Sequence, residues 1–281
     1  MRRRWRLMHK FKRQFLSGPY VIWIFGFIVL PILMIVYYGV TDSSGAFTLG
    51  NITAIAEPIH MKALLMSLKL ALICTVICLA LSYPLAMILN NLHLKRQSFV
   101  VFIFVLPMWM NFMLRILAWQ LLLSNNGILN TVFEALGFPK VSLLNTPSAV
   151  VFGMVYDFLP FMILPIYNAM GRIGKDIVDA ARDLGCSQFQ VFIKIIFPLT
   201  VSGVLSGIIM VFVPALTSFV ISNLLGGGKV LLIGNVIEQE FMQNMNWNMG
   251  SGLSIVLMIF VIASMAFMNS HSKDGEGTAV W

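Results

Sequence analysis

The sequence predicts an all-α, polytopic membrane protein with six transmembrane helices. Three observations point there: 59% of its 281 residues are hydrophobic, only 11% are charged, and the apolar residues gather into six long stretches. A soluble domain carries roughly 25% charged residues and about 45–50% apolar ones, so this chain has too little charge to cover a water-exposed surface. The same numbers exclude disorder, which requires low hydrophobicity and high charge. The formal charge of +8 belongs at a membrane surface rather than on nucleic acid. The three cysteines lack framework spacing: Cys74 and Cys78 lie inside an apolar run and Cys186 in a basic loop, which argues against a disulfide-stapled secreted domain.

Only a helix of about 20 apolar residues satisfies its own backbone in hydrocarbon. The expected spans are Tyr20–Val40, Ala63–Leu89, Phe99–Leu123, Ser148–Met170, Val201–Leu225 and Gly252–Met268. The first is too long for a secretory signal and reads as a retained span. Pro31, Pro84, Pro107, Pro160, Pro165 and Pro214 punctuate them, either as tolerated kinks or as bends that open a path and supply hinges. Between spans three and four, Ile128, Leu129, Val132, Phe133 and Leu136 repeat at helical spacing before Gly137 and Pro139. That pattern predicts a short interfacial helix.

Lys and Arg set the orientation. Seven lie in the tail between Arg2 and Arg13. Lys95, Arg96, Arg172, Lys175, Arg182, Lys194 and Lys273 join them on one side, against Lys62, Lys140 and Lys229 on the other. Both termini are therefore expected in the cytoplasm, with a basic tail over 1–19. The first helix and its outer loop then cover 20–62, the remaining spans form a core over 63–268, and a C-terminal tail covers 269–281.

The longest cytoplasmic connection runs from Gly171 to Thr200. Two short helices fit it. Asp176 begins the first, with Ile177, Ala180, Ala181 and Leu184 on one face and Gly185 as its stop. Ser187 caps the second, where Phe189, Phe192, Ile193 and Ile196 repeat before Pro198. A loop this long between spans usually has a purpose, although an ordinary interfacial hairpin has the same composition. Asp179-Ala180-Ala181, then three residues, Gly185, nine residues and Ile195-Ile196-Phe197-Pro198, resemble the Glu-Ala-Ala loop of ABC importer permeases. Asp179 stands for Glu and Phe197 for Leu. The resemblance implies a type I permease fold whose loop between spans four and five is a coupling helix docking onto a separate ATPase. Asp179, Ala180, Ala181, Arg182, Asp183, Gly185 and Pro198 are then the ATPase-coupling residues. Ala180 and Ala181 permit close approach, Gly185 the sharp break, and Asp179, Arg182 and Asp183 supply salt bridges at the rim.

Further strings carry a finer resemblance. They are Leu159–Tyr167, Asp179–Gly185 and Gly226-Gly227-Gly228-Lys229 through Ile237. They are similar to the first-permease class of spermidine/putrescine importers; permeases for ferric iron and sulfate share the coupling loop. The resemblance implies two ATPase subunits, a second homologous permease and an extracellular polyamine-binding protein. It implies no cofactor on this chain, with ATP and Mg on the ATPase.

Independently, the chain lacks a phosphate-binding loop ending in Lys-Ser/Thr, a His-Glu-x-x-His motif, and any histidine well inside a span. A secondary transporter is the remaining rival; dependence on ATP separates the two. For a substrate path, the candidates are Trp109, Arg115, Tyr156, Asp157, Glu238 and Glu240. Charge inside hydrocarbon faces a partner or a water-filled path. Arg115 and Asp157 sit at similar depths, about 12 and 15 Å from the outer ends of their spans, so either they pair or Asp157 faces a cationic substrate. Tyr156, Trp109 and Trp119 offer faces to ammonium groups, or form an interfacial belt. Glu238 and Glu240 follow the glycine turn, near the mouth or on a solvated face.

Overall fold

The computed structural model describes residues 18–91, 102–104 and 106–276. The basic tail through Arg13, together with Lys95 and Arg96, lies outside them, as does part of the expected third span. The helices, in chain order, are α1 (Gly18–Gly39), α2 (Pro58–Asn91), α3 (Phe112–Leu123), α4 (Ile128–Ala135) and α5 (Pro147–Met170). They continue with α6 (Lys175–Asp183), α7 (Gln188–Thr217), α8 (Val220–Gly226), α9 (Ile233–Met242) and α10 (Trp247–Glu276). Among the described residues there is no sheet, only the isolated bridge Thr41–Phe47. Five helices among the described residues are long and apolar enough to cross a membrane: α1, α2, α5, α7 and α10.

The chain divides into two compact units, residues 1–57 with 239–259, and 58–238 with 260–281. In the first, α1 is apolar on all sides and none of its apolar window is buried, the signature of a helix whose solvent is lipid. Its C-terminal carbonyls are capped by two side chains. Asn51 Nδ2 donates to Thr41 O (2.8 Å) and Asn248 Nδ2 to Thr41 O (2.7 Å) and Tyr38 O (3.1 Å).

In the second unit α2, α5 and α7 pack on one another. Leu70, Cys74 and Leu89 of α2, Met154, Met162 and Ile166 of α5, and Val211 and Leu216 of α7 are buried there. Gly203 and Gly207 lie four residues apart on the face of α7 that meets α5. A Cβ at Gly203 would stand 2.5 Å from Ala169 Cβ, and one at Gly207 2.7 Å from Met162 Sδ. Small residues at this spacing let two helix backbones close in, where lipid gives no hydrophobic drive for association.

Two prolines impose the same local device. Pro31 and Pro198 have no N–H to return to the preceding turn. In both cases the turn ahead widens: Phe25–Val29 and Phe192–Ile196 are π-helical, with Leu30 N–H bonded to Phe25 O and Phe197 N–H to Phe192 O. The extra residue absorbs the missing bond, so α1 and α7 continue where a break or bend was expected.

Two spans differ from expectation. Phe99–Leu123 is not one helix where it is described. Leu106–Trp109 is a 3-10 turn, Asn111 is extended, and Asn111 Oδ1 accepts from the N–H groups of Met113 (2.9 Å) and Leu114 (3.2 Å). Pro107 and this cap start α3 afresh, and its 12 residues extend only about 18 Å. The expected Val201–Leu225 span ends at Thr217, and α8 follows after an extended Ser218. Tertiary partners meet the freed backbone: Asn235 Nδ2 donates to Phe219 O (3.1 Å), Asn145 N to Leu225 O (2.8 Å), and Ile233 N to Ser67 Oγ (2.8 Å). Irregular backbone at membrane depth survives only when buried and satisfied in this way.

The α4 helix forms where the Ile128–Leu136 repeat predicts a short helix. Gly137 N–H bonds to Glu134 O (3.0 Å) and Phe138 N–H to Phe133 O (2.8 Å), closing its C-terminus at a left-handed glycine,.

Candidate functional site

Two groups of side chains in the second unit carry the functional reading. The first is the α6–α7 corner. Gly174 precedes α6, and Leu184 ends it. Gly185 follows at φ +84, with its N–H on Arg182 O (2.8 Å) and the Cys186 N–H on Ala181 O (3.1 Å). This pair of bonds is a Schellman stop, which requires the left-handed conformation that glycine reaches without a Cβ penalty. Two residues on, Ser187 Oγ accepts from Gln190 N (3.3 Å) while Gln190 Oε1 accepts from Ser187 N (2.8 Å), a complete capping box that starts α7,. Stop and start signals so close together make a rigid corner.

The corner's outer surface is open and apolar: Leu184 is 85% exposed and Phe189 71%. No atom stands within 4 Å of a Cβ built at Gly185. Ala180, Arg182, Asp183 and Pro198 are exposed, and Asp179 pairs with Arg182 along α6 at 3.6 Å rather than standing free. Ala181 departs from its expected part. It is buried against its own chain, so its small size serves internal packing.

Behind the corner lies a lock that sequence reasoning missed. Tyr83 Oη and Thr200 Oγ1 share a 2.7 Å hydrogen bond between α2 and α7, and the Tyr83 ring meets Phe192 edge-on at 5.5 Å. A tyrosine inside the apolar run of α2 was the available signal.

The second group surrounds Asp157. Arg115, in the first turn of α3, forms an ion pair through Nη2 with Asp157 Oδ1 of α5, and Arg115 Nη1 donates to Pro107 O. The guanidinium sits 5.7 Å from the Tyr156 ring centroid, and Trp119 meets Tyr156 edge-on at 5.2 Å. Apart from the guanidinium, neither carboxylate oxygen has a hydrogen-bond partner among the described residues, nor does Arg115 Nε. The Asp157 side chain is 1% exposed. The break at Pro107–Asn111 is what brings Arg115 here, because it supplies both the carbonyl and the start of α3.

The other path candidates make contacts of their own. Trp109 is exposed, with Phe102 edge-on to its ring at 5.4 Å. Glu238 and Glu240 are half-buried on α9, and Glu240 Oε1 accepts from Asn244 Nδ2 (2.9 Å). No group of three or more His, Cys, Asp or Glu stands ready for a metal among the described residues.

Five long apolar helices, an exposed corner and a buried ion pair among the described residues define a polytopic helical membrane protein. Residues 82–270 match the family described as binding-protein-dependent transport system inner membrane component. The chain belongs to that family, and it is a multi-pass membrane permease. It is 40% identical over 245 residues to the spermidine/putrescine transport system permease protein PotB of Escherichia coli, covering 84% of this chain and 89% of that one. To the protein of the same name from Haemophilus influenzae it is 38% identical over 247 residues, covering 85% and 86%. Among solved structures, it resembles a bacterial alginate ABC transporter crystallised with an alginate pentasaccharide-bound periplasmic protein. There the TM-score is 0.76 at 17% identity, covering 96% of this chain and 98% of that one, a likeness that speaks to fold alone.

Proposed function

We propose that this chain is a permease subunit of an ATP-driven importer that carries spermidine and putrescine across the bacterial cytoplasmic membrane. The observation that carries the substrate is the 40% identity to a spermidine/putrescine permease over 84% of the chain. The chain crosses six times, the broken segment before Leu123 being one crossing, with both termini and the α6–α7 corner in the cytoplasm. The transport core is 63–268, between the basic tail 1–19, the helix-and-loop segment 20–62 and the tail 269–281.

The engine is elsewhere. Two ATPase subunits bind ATP and Mg, a second homologous permease completes the path, and an extracellular polyamine-binding protein delivers substrate. The exposed Leu184 and Phe189 suit helix-in-groove docking, with Asp179, Ala180, Arg182 and Asp183 around them. ATP-driven closure draws the corners together. The Tyr83–Thr200 lock then passes the movement to α2 and α7, and the helices rock between inward- and outward-facing states. Arg115 and Asp157 form a structural pair beside the path, and the Tyr156 face supports the guanidinium.

Uptake of labelled spermidine and putrescine by a strain lacking its own polyamine permease tests the substrate. Complementation supports it, and none with a well-expressed chain refutes it. Gly185→Trp tests the corner: nothing in the chain crowds that position, so intact ATPase recovery in a pull-down would refute docking there. If Asp157→Asn transports normally, Asp157 does not contact substrate.

A further inference from the structure

The first unit holds a second candidate site, apart from the Arg115–Asp157 cluster. A cavity of about 730 Å3 opens between the end of α1 and the start of α10, with Tyr38, Asp42, Asn51, Trp247 and Asn248 on its walls and the Asn244–Asn246 loop along its rim. We propose that this cavity is an outer-face subsite for an ammonium group carried on a methylene chain. The assignment rests on the polyamine reading and the membrane orientation given above, and adds a place where the cation is held before it enters the helices.

The walls offer acceptors and no competing cation. Among the described residues, neither Lys nor Arg lines the cavity. Asn51 and Asn248 have spent their amide groups on the carbonyls that end α1, which assigns both carboxamides. Among the described residues no donor meets either Oδ1. The Asp42 carboxylate is clamped through Oδ1 by the Ser44 N–H (2.8 Å), the Ser44 hydroxyl (2.6 Å) and the Ala46 N–H (3.0 Å). No hydrogen bond to its Oδ2 accompanies these among the described residues. The carbonyl end of α1 adds a partial negative charge to the same wall.

Aromatic faces complete it. Tyr38 and Trp247 stand with ring centroids 6.3 Å apart, and Phe241 braces Trp247 edge-on at 5.5 Å. Trp247 nevertheless stays 51% exposed, although a ring of that size normally buries most of its surface. The rim is built rather than loose: Asn244 N–H bonds to Gln239 O and Asn246 N–H to Glu240 O, each 2.9 Å, and Met245 is held at φ +52. A non-glycine residue persists there only when its surroundings impose it, and such residues cluster at ligand clamps. An ammonium group over the Trp247 face can donate to Asp42 Oδ2 and the carboxamide oxygens, while the Tyr38 ring and the Met34 and Met245 thioethers contact methylenes. An anion is repelled by the Asp42 carboxylate and by the carbonyl end of α1,.

Equilibrium dialysis of labelled spermidine against the purified full transporter, without its binding protein, tests the site, with labelled glutarate as the anionic control. Asp42→Asn and Trp247→Leu should each weaken spermidine binding by about 5- to 30-fold. Trp247→Phe should restore it to within about twofold, and glutarate should not bind. Low-concentration uptake should fall in the two damaging variants and recover at saturating spermidine. Absent binding by the wild-type transporter, or wild-type affinity in both variants, would overturn the site. So would variants that keep spermidine affinity but lose capture of the loaded binding protein, since the cavity would then be a protein-docking surface. Binding that follows this pattern in a chain that fails to import polyamines would refute the transport reading and leave the site standing.

Discussion

Arg115 and Asp157 show how much one side chain depends on another at membrane depth. With the guanidinium on Asp157, on Pro107 O and beside Tyr156, removing Arg115 leaves a carboxylate 1% exposed and without a counter-charge. Breaking one half of a buried pair costs about 3–5 kcal/mol, whereas apolar replacement of both is often neutral. Arg115→Met should therefore lower the thermal midpoint of the purified protein sharply, Asp157→Asn less, and Arg115→Met with Asp157→Leu should recover most of the loss. A different pattern arises at Asp42. The Ser44 hydroxyl and the Ala46 N–H hold its carboxyl below the ordinary value of 3.8. A lowered folded pKa favours the folded turn above the unfolded value, and that contribution disappears as pH falls through the folded value. Amine binding to the cavity should thus stay flat from about pH 8 to about pH 5 and fall only in stronger acid, as a pH series of the dialysis measurement would read.

At the scale of elements, the α6–α7 corner depends on one backbone conformation. Gly185 at φ +84 has open space around its α-carbon, so a small side chain there meets strain and no clash. Gly185→Ala should cost about 1–2 kcal/mol of corner stability and weaken ATPase docking by about tenfold. Gly185→Asn should do less, because asparagine tolerates the left-handed region. A titration of the ATPase against both variants distinguishes them. The signals for this corner were local, and the sequence carried them plainly: Gly185, Ser187 and the apolar repeat on either side. The same is true of α4, stopped by Gly137. The proline positions were equally visible, but their effect was not. Whether Pro198 breaks α7 or is absorbed by a widened turn depends on Phe192–Ile196 finding a π-helical register, which propensity alone does not foresee.

At the scale of the whole molecule, α5 and α7 hold together by close approach. Gly203 and Gly207 place α7 against Ala169 and Met162 of α5, and this five-residue pattern is legible in the sequence. Gly207→Leu should push α7 off α5 and lower the yield of folded protein in size-exclusion chromatography, whereas Ser206→Leu, one position away and exposed, should not. The bilayer requires every backbone group to be satisfied within the protein, so apolar length by itself announces a helix, and five of the six expected spans correspond to helices of spanning length.

Composition, apolar runs and caps were enough to determine a helical membrane protein and the α6–α7 corner, because these are local patterns whose physics operates within a few turns. Only the tertiary structure decided that Arg115 meets Asp157, that Ala181 faces inward, that the third span is interrupted at Asn111, and that α7 stops at Thr217. Each of these depends on which distant group satisfies a carbonyl, a charge or a gap. Asn235, Pro107 and Asn248 find those partners only once the chain has folded.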